Sequence, residues 1–78
     1  MKNFSRHVGK LEIVRRLRPS RNGNPRYQCR CGGFTFVTEP DSSIAYELPH
    51  FEGKQVEIVV GTLRNKLTLK YIHTYRGY

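Results

Sequence analysis

Residues 26–31, Arg26-Tyr27-Gln28-Cys29-Arg30-Cys31, alternate polar and apolar without a break, and Gly32-Gly33 follows at once. Period-two alternation places Tyr27, Cys29 and Cys31 on one face of a strand and Arg26, Gln28 and Arg30 on the other. A Gly-Gly pair signals a tight turn. Phe34 to Thr38 then returns with Phe34 and Phe36 on one face and Thr35 and Val37 on the other. Such a hairpin must cover its apolar face, and a 78-residue chain has few other segments from which to build the cover.

Those segments are of the same kind. From Lys10 to Arg18, Leu11 and Ile13 alternate with Glu12 and Val14 until Arg15-Arg16 breaks the pattern, as a bulge or a strand leaving the core does. The turn-rich run Pro19 to Pro25 separates this strand from the hairpin, and its Asn22-Gly23 suits positive φ. A strand over Lys54–Val60 turns Val56, Ile58 and Val60 inward, and Gly61–Asn65 reads as the next turn. Lys66–His73 follows, with Leu67, Leu69, Tyr71 and His73 on one face and Thr68, Lys70 and Ile72 on the other. Between the third and fourth strands, Asp41 or Ser42 would cap a helix of two turns at most, with Ile44 and Leu48 on one face and Pro49 ending it.

The order β-β-β-α-β-β predicts a mainly β fold: a small five-stranded OB-like or SH3-like barrel with one short helix between strands 3 and 4. Residues 1–8 read as a flexible basic N-terminal arm, 9–73 as one barrel domain and 74–78 as a C-terminal tail. No apolar run approaches the ~20 residues of a membrane helix. Lys2, Arg6, Lys10 and Glu12 leave no signal-peptide core. A protein of the cytoplasm, not of the membrane, is expected.

The formal charge of +8 is unevenly spread. Residues 1–30 hold nine basic residues against Glu12 alone, residues 31–60 carry a net −4, and residues 61–78 carry +4 with no acid. Nine of the 14 basic residues are Arg, which favours planar, bidentate contact with phosphate. This balance points to DNA or RNA, single-stranded for choice, as partner. In OB-type barrels oligonucleotides lie on strands 2 and 3 and on the loop joining strands 1 and 2. The candidate contacts are therefore Arg16, Arg18, Arg21, Arg26, Gln28, Arg30 and Lys70. Tyr27, Phe34 and Phe36 read as core before they read as a stacking platform, because so small a barrel needs its large side chains inside. The acidic stretch around Glu39, Asp41, Glu47 and Glu52 is expected on the side away from the binding face.

Catalytic sets are missing from the pattern. Ser42-Ser43 has no His with a supporting acid nearby, His50 sits in a loop, and Glu39 and Asp41 read as surface charge and a cap. Cys29-Arg30-Cys31 on a strand sets its two sulfurs ~7 Å apart, wider than a zinc knuckle, so two buried thiols are expected rather than a metal site with His7, His50 or His73. Neither a metal nor a cofactor is expected.

Three stretches resemble a known group. Asn22-Gly23-Asn24-Pro25-Arg26-Tyr27, then Thr38 with Asp41-Ser42-Ser43-Ile44-Ala45-Tyr46, then Phe51-Glu52-Gly53-Lys54 before a valine-rich strand, resemble small bacteriophage and prophage OB-like proteins over residues 9–73. The resemblance implies a bacterial cytoplasm and carries no site residue. It also opens a second expectation, an accessory protein that binds and modulates a host protein, as a monomer or weak homodimer.

Overall fold

The computed structural model describes residues 4–75. Five strands, β1 (Ser5–Arg16), β2 (Tyr27–Cys31), β3 (Phe34–Thr38), β4 (Gln55–Leu63) and β5 (Lys66–Thr74), close into a barrel in the order β1-β2-β3-β5-β4. Because β4 returns to lie beside β1, the spatial order β4-β1-β2-β3 is a Greek key. The fold is mainly β, as expected.

One long strand makes the closure. Residues Ser5–Lys10 of β1 pair with β4, and Leu11–Arg16 pair with β2. The expected loose arm over residues 1–8 is therefore corrected for Ser5–Val8, which are built into the barrel wall, while residues 1–3 lie outside the described residues. Ladder hydrogen bonds to β4 outweigh the polar character of the segment. At the other end Thr74 belongs to β5, and residues 76–78 of the expected tail lie outside the described residues.

The final contact is short. β3 and β5 run parallel and pair only at Val37–Thr68 and Thr38–Leu69. Ahead of that point Phe34–Phe36 and Lys66–Leu67 have no partner across the seam.

The inward phases of β2, β3 and β4 follow the alternation in the sequence. Leu11, Cys29, Cys31, Phe36, Val56, Ile58, Val60 and Leu69 form the buried centre, and Tyr27 and Phe34 pack against it. On β5 the expected alternation fails. Val59 pairs with Tyr71 and Val60 with Leu69, so Lys70 is an extra residue. The bulge changes phase: Leu69 and Ile72 are buried, whereas Leu67 and Tyr71 are exposed. The expected turn over Gly61–Asn65 also narrows to Arg64-Asn65, because β4 continues to Leu63. Gly61 stays in the strand, where a Cβ would lie 2.8 Å from the Phe4 ring.

The connection from β3 to β4 is short, within the expected two turns, but it is not one continuous helix. Ser42 does cap it, its hydroxyl accepting from the Ile44 amide, but the turn is 3-10 over Ser43–Tyr46. A single α-turn, α1 (Leu48–Phe51), follows, with Pro49 in its first turn instead of ending a helix. Proline lacks an amide hydrogen, which the first turn leaves unpaired in any case. Ala45 and Leu48 are fully buried, and Leu48 belongs to the barrel core. Burial of a leucine side chain contributes about 2 kcal/mol, enough to hold so short a segment in place.

Among the described residues no helix is long and apolar enough to cross a membrane.

Candidate functional site

Three pieces of chain meet at the open seam between β3 and β5. The end of β1 and the loop after it supply Arg15, Leu17, Arg18 and Arg26; β2 and β3 supply Gln28, Thr35 and Val37; the β4–β5 turn and the start of β5 supply Asn65, Lys66 and Leu67. They enclose a groove of about 580 Å³. A smaller hollow of about 200 Å³ adjoins it, shares Arg26, Val37 and Lys66, and adds Leu63, Arg64 and Thr68. Among the described residues the two together are lined by the cations Arg15, Arg18, Arg26, Arg64 and Lys66 and by no carboxylate. A cleft lined by one sign of charge focuses its field and draws in the opposite charge.

The local sequence explains how each cation arrives. A bulge between Ile13 and Arg15 leaves Val14 unpaired and sets Arg15 opposite Gln28. Unbroken alternation would turn Arg15 inward with Leu11 and Ile13; the extra residue brings it out, where its Nε donates to Gln28 Oε1 at 2.8 Å. Arg26 reaches back along the β2–β3 pair and donates to the Thr38 carbonyl at 3.3 Å, while its buried Nε has no partner. Arg18 and Lys66 are exposed at opposite banks of the groove.

The β1–β2 loop is held in place by one carboxylate. Asp41, at φ 61°, accepts from Ser20 Oγ at 2.5 Å, Asn22 Nδ2 at 3.0 Å and Asn24 Nδ2 at 2.7 Å. Tyr46 adds a hydroxyl bond to Asn24 Oδ1. The hydrogen bond from Ser20 first, then that from Asn24, hold the Asp41 carboxyl below its ordinary range against the opposing effect of burial, and the Asn22 bond adds the least. The acidic stretch therefore does not lie wholly on the far side: Asp41 clasps the basic loop, and Glu39 pairs with Lys70.

Of the residues expected to make contacts, Arg18, Arg26 and Gln28 come together in the groove. Arg16, Arg21, Arg30 and Lys70 do not line it. Beyond the bulge Arg16 pairs with Tyr27 and takes the phase opposite to Arg15. Arg21 is exposed in the β1–β2 loop. Arg30 projects outward at the far end of β2 and is ion-paired with Glu12 at 3.0 Å. Lys70, displaced by the β5 bulge, bonds Glu39, which also accepts from Thr68 Oγ1 at 3.1 Å. Arg15, Arg64, Asn65 and Lys66 are groove residues beyond that set. The break at Arg15-Arg16 was the only signal for the first; nothing local in the sequence brings the β4–β5 turn across the barrel to β2.

Other charged clusters are self-neutralised. On the β1–β4–β5 face Glu57 takes a bond from Arg6 and lies 2.7 Å from His73 Nε2. The Arg6 hydrogen bond is the main cause of its lowered pKa. A hollow of about 380 Å³ at Lys10, Glu12 and Glu52 mixes both signs. Among the described residues no group of three or more His, Cys, Asp or Glu is placed to hold a metal ion, and Cys29 and Cys31 are free and buried. No family model, curated protein or solved structure matches the chain.

Proposed function

We propose that the groove binds nucleic acid through its phosphate backbone, without catalysis. The observation that carries this is the set of five cations, with no carboxylate, lining the seam between the β1–β2 loop and the β4–β5 turn. Strands 2 and 3 and these two loops are the segments on which OB-type Greek-key barrels hold oligonucleotides. Gln28, Thr35 and Asn65 supply neutral hydrogen-bonding groups between the charges. The exposed aromatic side chains Tyr46, Tyr71 and Tyr75 do not line the groove, which favours phosphate contact over base stacking. The two free, buried thiols support a reducing, cytoplasmic setting for this binding.

The test is a titration of labelled single-stranded DNA and RNA by fluorescence anisotropy across salt. Five contacts give log K against log salt a slope of about −3.5 for a single strand and about −4.5 for a duplex. For the single strand, affinity should fall roughly 100-fold between 50 and 200 mM salt. Arg18→Glu with Lys66→Glu, both exposed, should flatten the slope to about −2 or less while leaving the urea midpoint unchanged. Absence of binding at low salt, or binding indifferent to salt, would overturn the proposal.

A further inference from the structure

The barrel has two tight hairpin turns, and they are made of different residues. Between β2 and β3 the turn is Gly32-Gly33, at φ 59° and 81°. Between β4 and β5, where Leu63 pairs with Lys66, it is Arg64-Asn65, at φ 51° and 66°. Two-residue hairpin loops with positive φ at both central positions match the twist of the flanking strands, and glycine meets that demand without steric cost. Asparagine tolerates the left-handed region because its short side chain bonds locally; arginine has no such relief. The chain thus places glycine at the turn that does not line the cationic groove, and arginine at the turn that does.

A second contrast sharpens the first. Among the described residues the non-glycine positions with positive φ are Asp41, Arg64 and Asn65. Asp41 offsets its backbone cost with three hydrogen bonds from the β1–β2 loop. Arg64 enters none of the ion pairs among the described residues, and it lines the smaller hollow together with Arg26 and Lys66. Residues held in sparsely populated backbone regions cluster at binding sites, where surrounding structure over-determines them.

We infer that Arg64 is a phosphate-contacting residue of the groove, and that the β4–β5 turn gives up barrel stability to present it. The inference rests on the nucleic-acid reading of the groove and adds to it, at one of its five cations, an opposition between stability and binding. Replacing Arg64 should move the two in opposite directions.

The experiment compares Arg64→Gly, Arg64→Asn and Arg64→Lys with the parent by thermal melting and by anisotropy with a single-stranded oligonucleotide. Arg64→Gly should raise Tm by roughly 4 °C through relief of the left-handed strain. Its affinity at 0.1 M salt should fall about fivefold, and its salt slope should become shallower by about 0.7, the effect of one lost contact. Arg64→Asn should lose the same contact, whereas Arg64→Lys should keep the parental slope. A turn with only a structural role would not move the slope. Parental binding by Arg64→Gly, or a lower Tm for that variant, would overturn the inference alone. Failure of the parent protein to bind would overturn it together with the proposed function.

Discussion

Gly9 pairs with β4 two residues before β1 takes β2 as its partner, and it touches the β2–β3 turn. A Cβ built on Gly9 would lie 2.7 Å from the Gly32 amide nitrogen and 2.8 Å from Gly32 Cα. Ordinary contacts of this kind begin at 3.4 Å, so Gly9→Ala demands a separation of about 0.6–0.7 Å. Both obstructing atoms are backbone, and Gly32 is itself fixed at φ 59° in the tight turn, with Val8 O only 3.0 Å from where its own Cβ would be. The strain cannot be dispersed by rotating a side chain. Overpacking costs about 1–3 kcal/mol, and a rigid neighbour puts this case at about 2–3. A 78-residue domain has roughly 4–12 kcal/mol in all, so about a sixth of the total or more is at stake. The assay is urea unfolding, with Gly33→Ala as the control. Gly33 also has positive φ, at 81°, but nothing lies within 4 Å of its Cβ position, so it should lose only about 1 kcal/mol, the left-handed penalty. With m near 1 kcal/mol/M the midpoint for Gly9→Ala should fall by about 2–3 M, and Tm by about 10–20 °C. A neutral Gly9→Ala, or one milder than Gly33→Ala, would refute the reasoning.

Two further outcomes follow from the buried and clasped groups. The carboxyls of Asp41 and Glu57 sit below their ordinary values of 3.8 and 4.5 in the folded protein. Their stabilisation is therefore complete above those values and is lost as pH falls through and below them, so an acid limb is expected below about pH 4.5. Asp41→Asn should flatten the part of that limb below pH 3.8 and speed hydrogen exchange at the Asn24 amide; unchanged exchange would show that Asp41 does not hold the loop. The Cys29 thiol is pushed up to about 12 by burial and then by the Glu52 charge. Iodoacetamide at pH 8 should leave Cys29 untouched in the folded protein and label it at the rate of unfolding; faster labelling would mean that the core opens locally.

The strands and turns that depend on neighbours in sequence were legible in advance. Alternation in Arg26–Cys31 and Phe34–Thr38 set the inward phase of the β2–β3 hairpin, and Gly32-Gly33 set its turn. The cap was narrowed to Asp41 or Ser42 for the same reason, since the partner of the capping Ser42 hydroxyl is two residues away. Features that needed a distant partner were not. Ser5–Val8 read as a polar arm until β4 supplied its ladder. The Lys70 bulge, which exposes Tyr71 and buries Ile72, is visible only in the pairing with β4. Arg30 and Lys70 had the right residue type and strand for a phosphate contact, but Glu12 and Glu39, distant in sequence, pair with them.

The sequence by itself determined a small β barrel with most of its cationic excess in the first two strands, because period-two alternation, turn chemistry and charge are local properties of the chain. The tertiary structure alone decided where that charge acts. Barrel closure brings the β4–β5 turn across to the end of β1 and to β2, and the two-pair β3–β5 seam leaves the groove between them. Which cations face that groove and which are neutralised depends on two bulges and a few carboxylates, whose effects are fixed only when strands far apart in sequence pair.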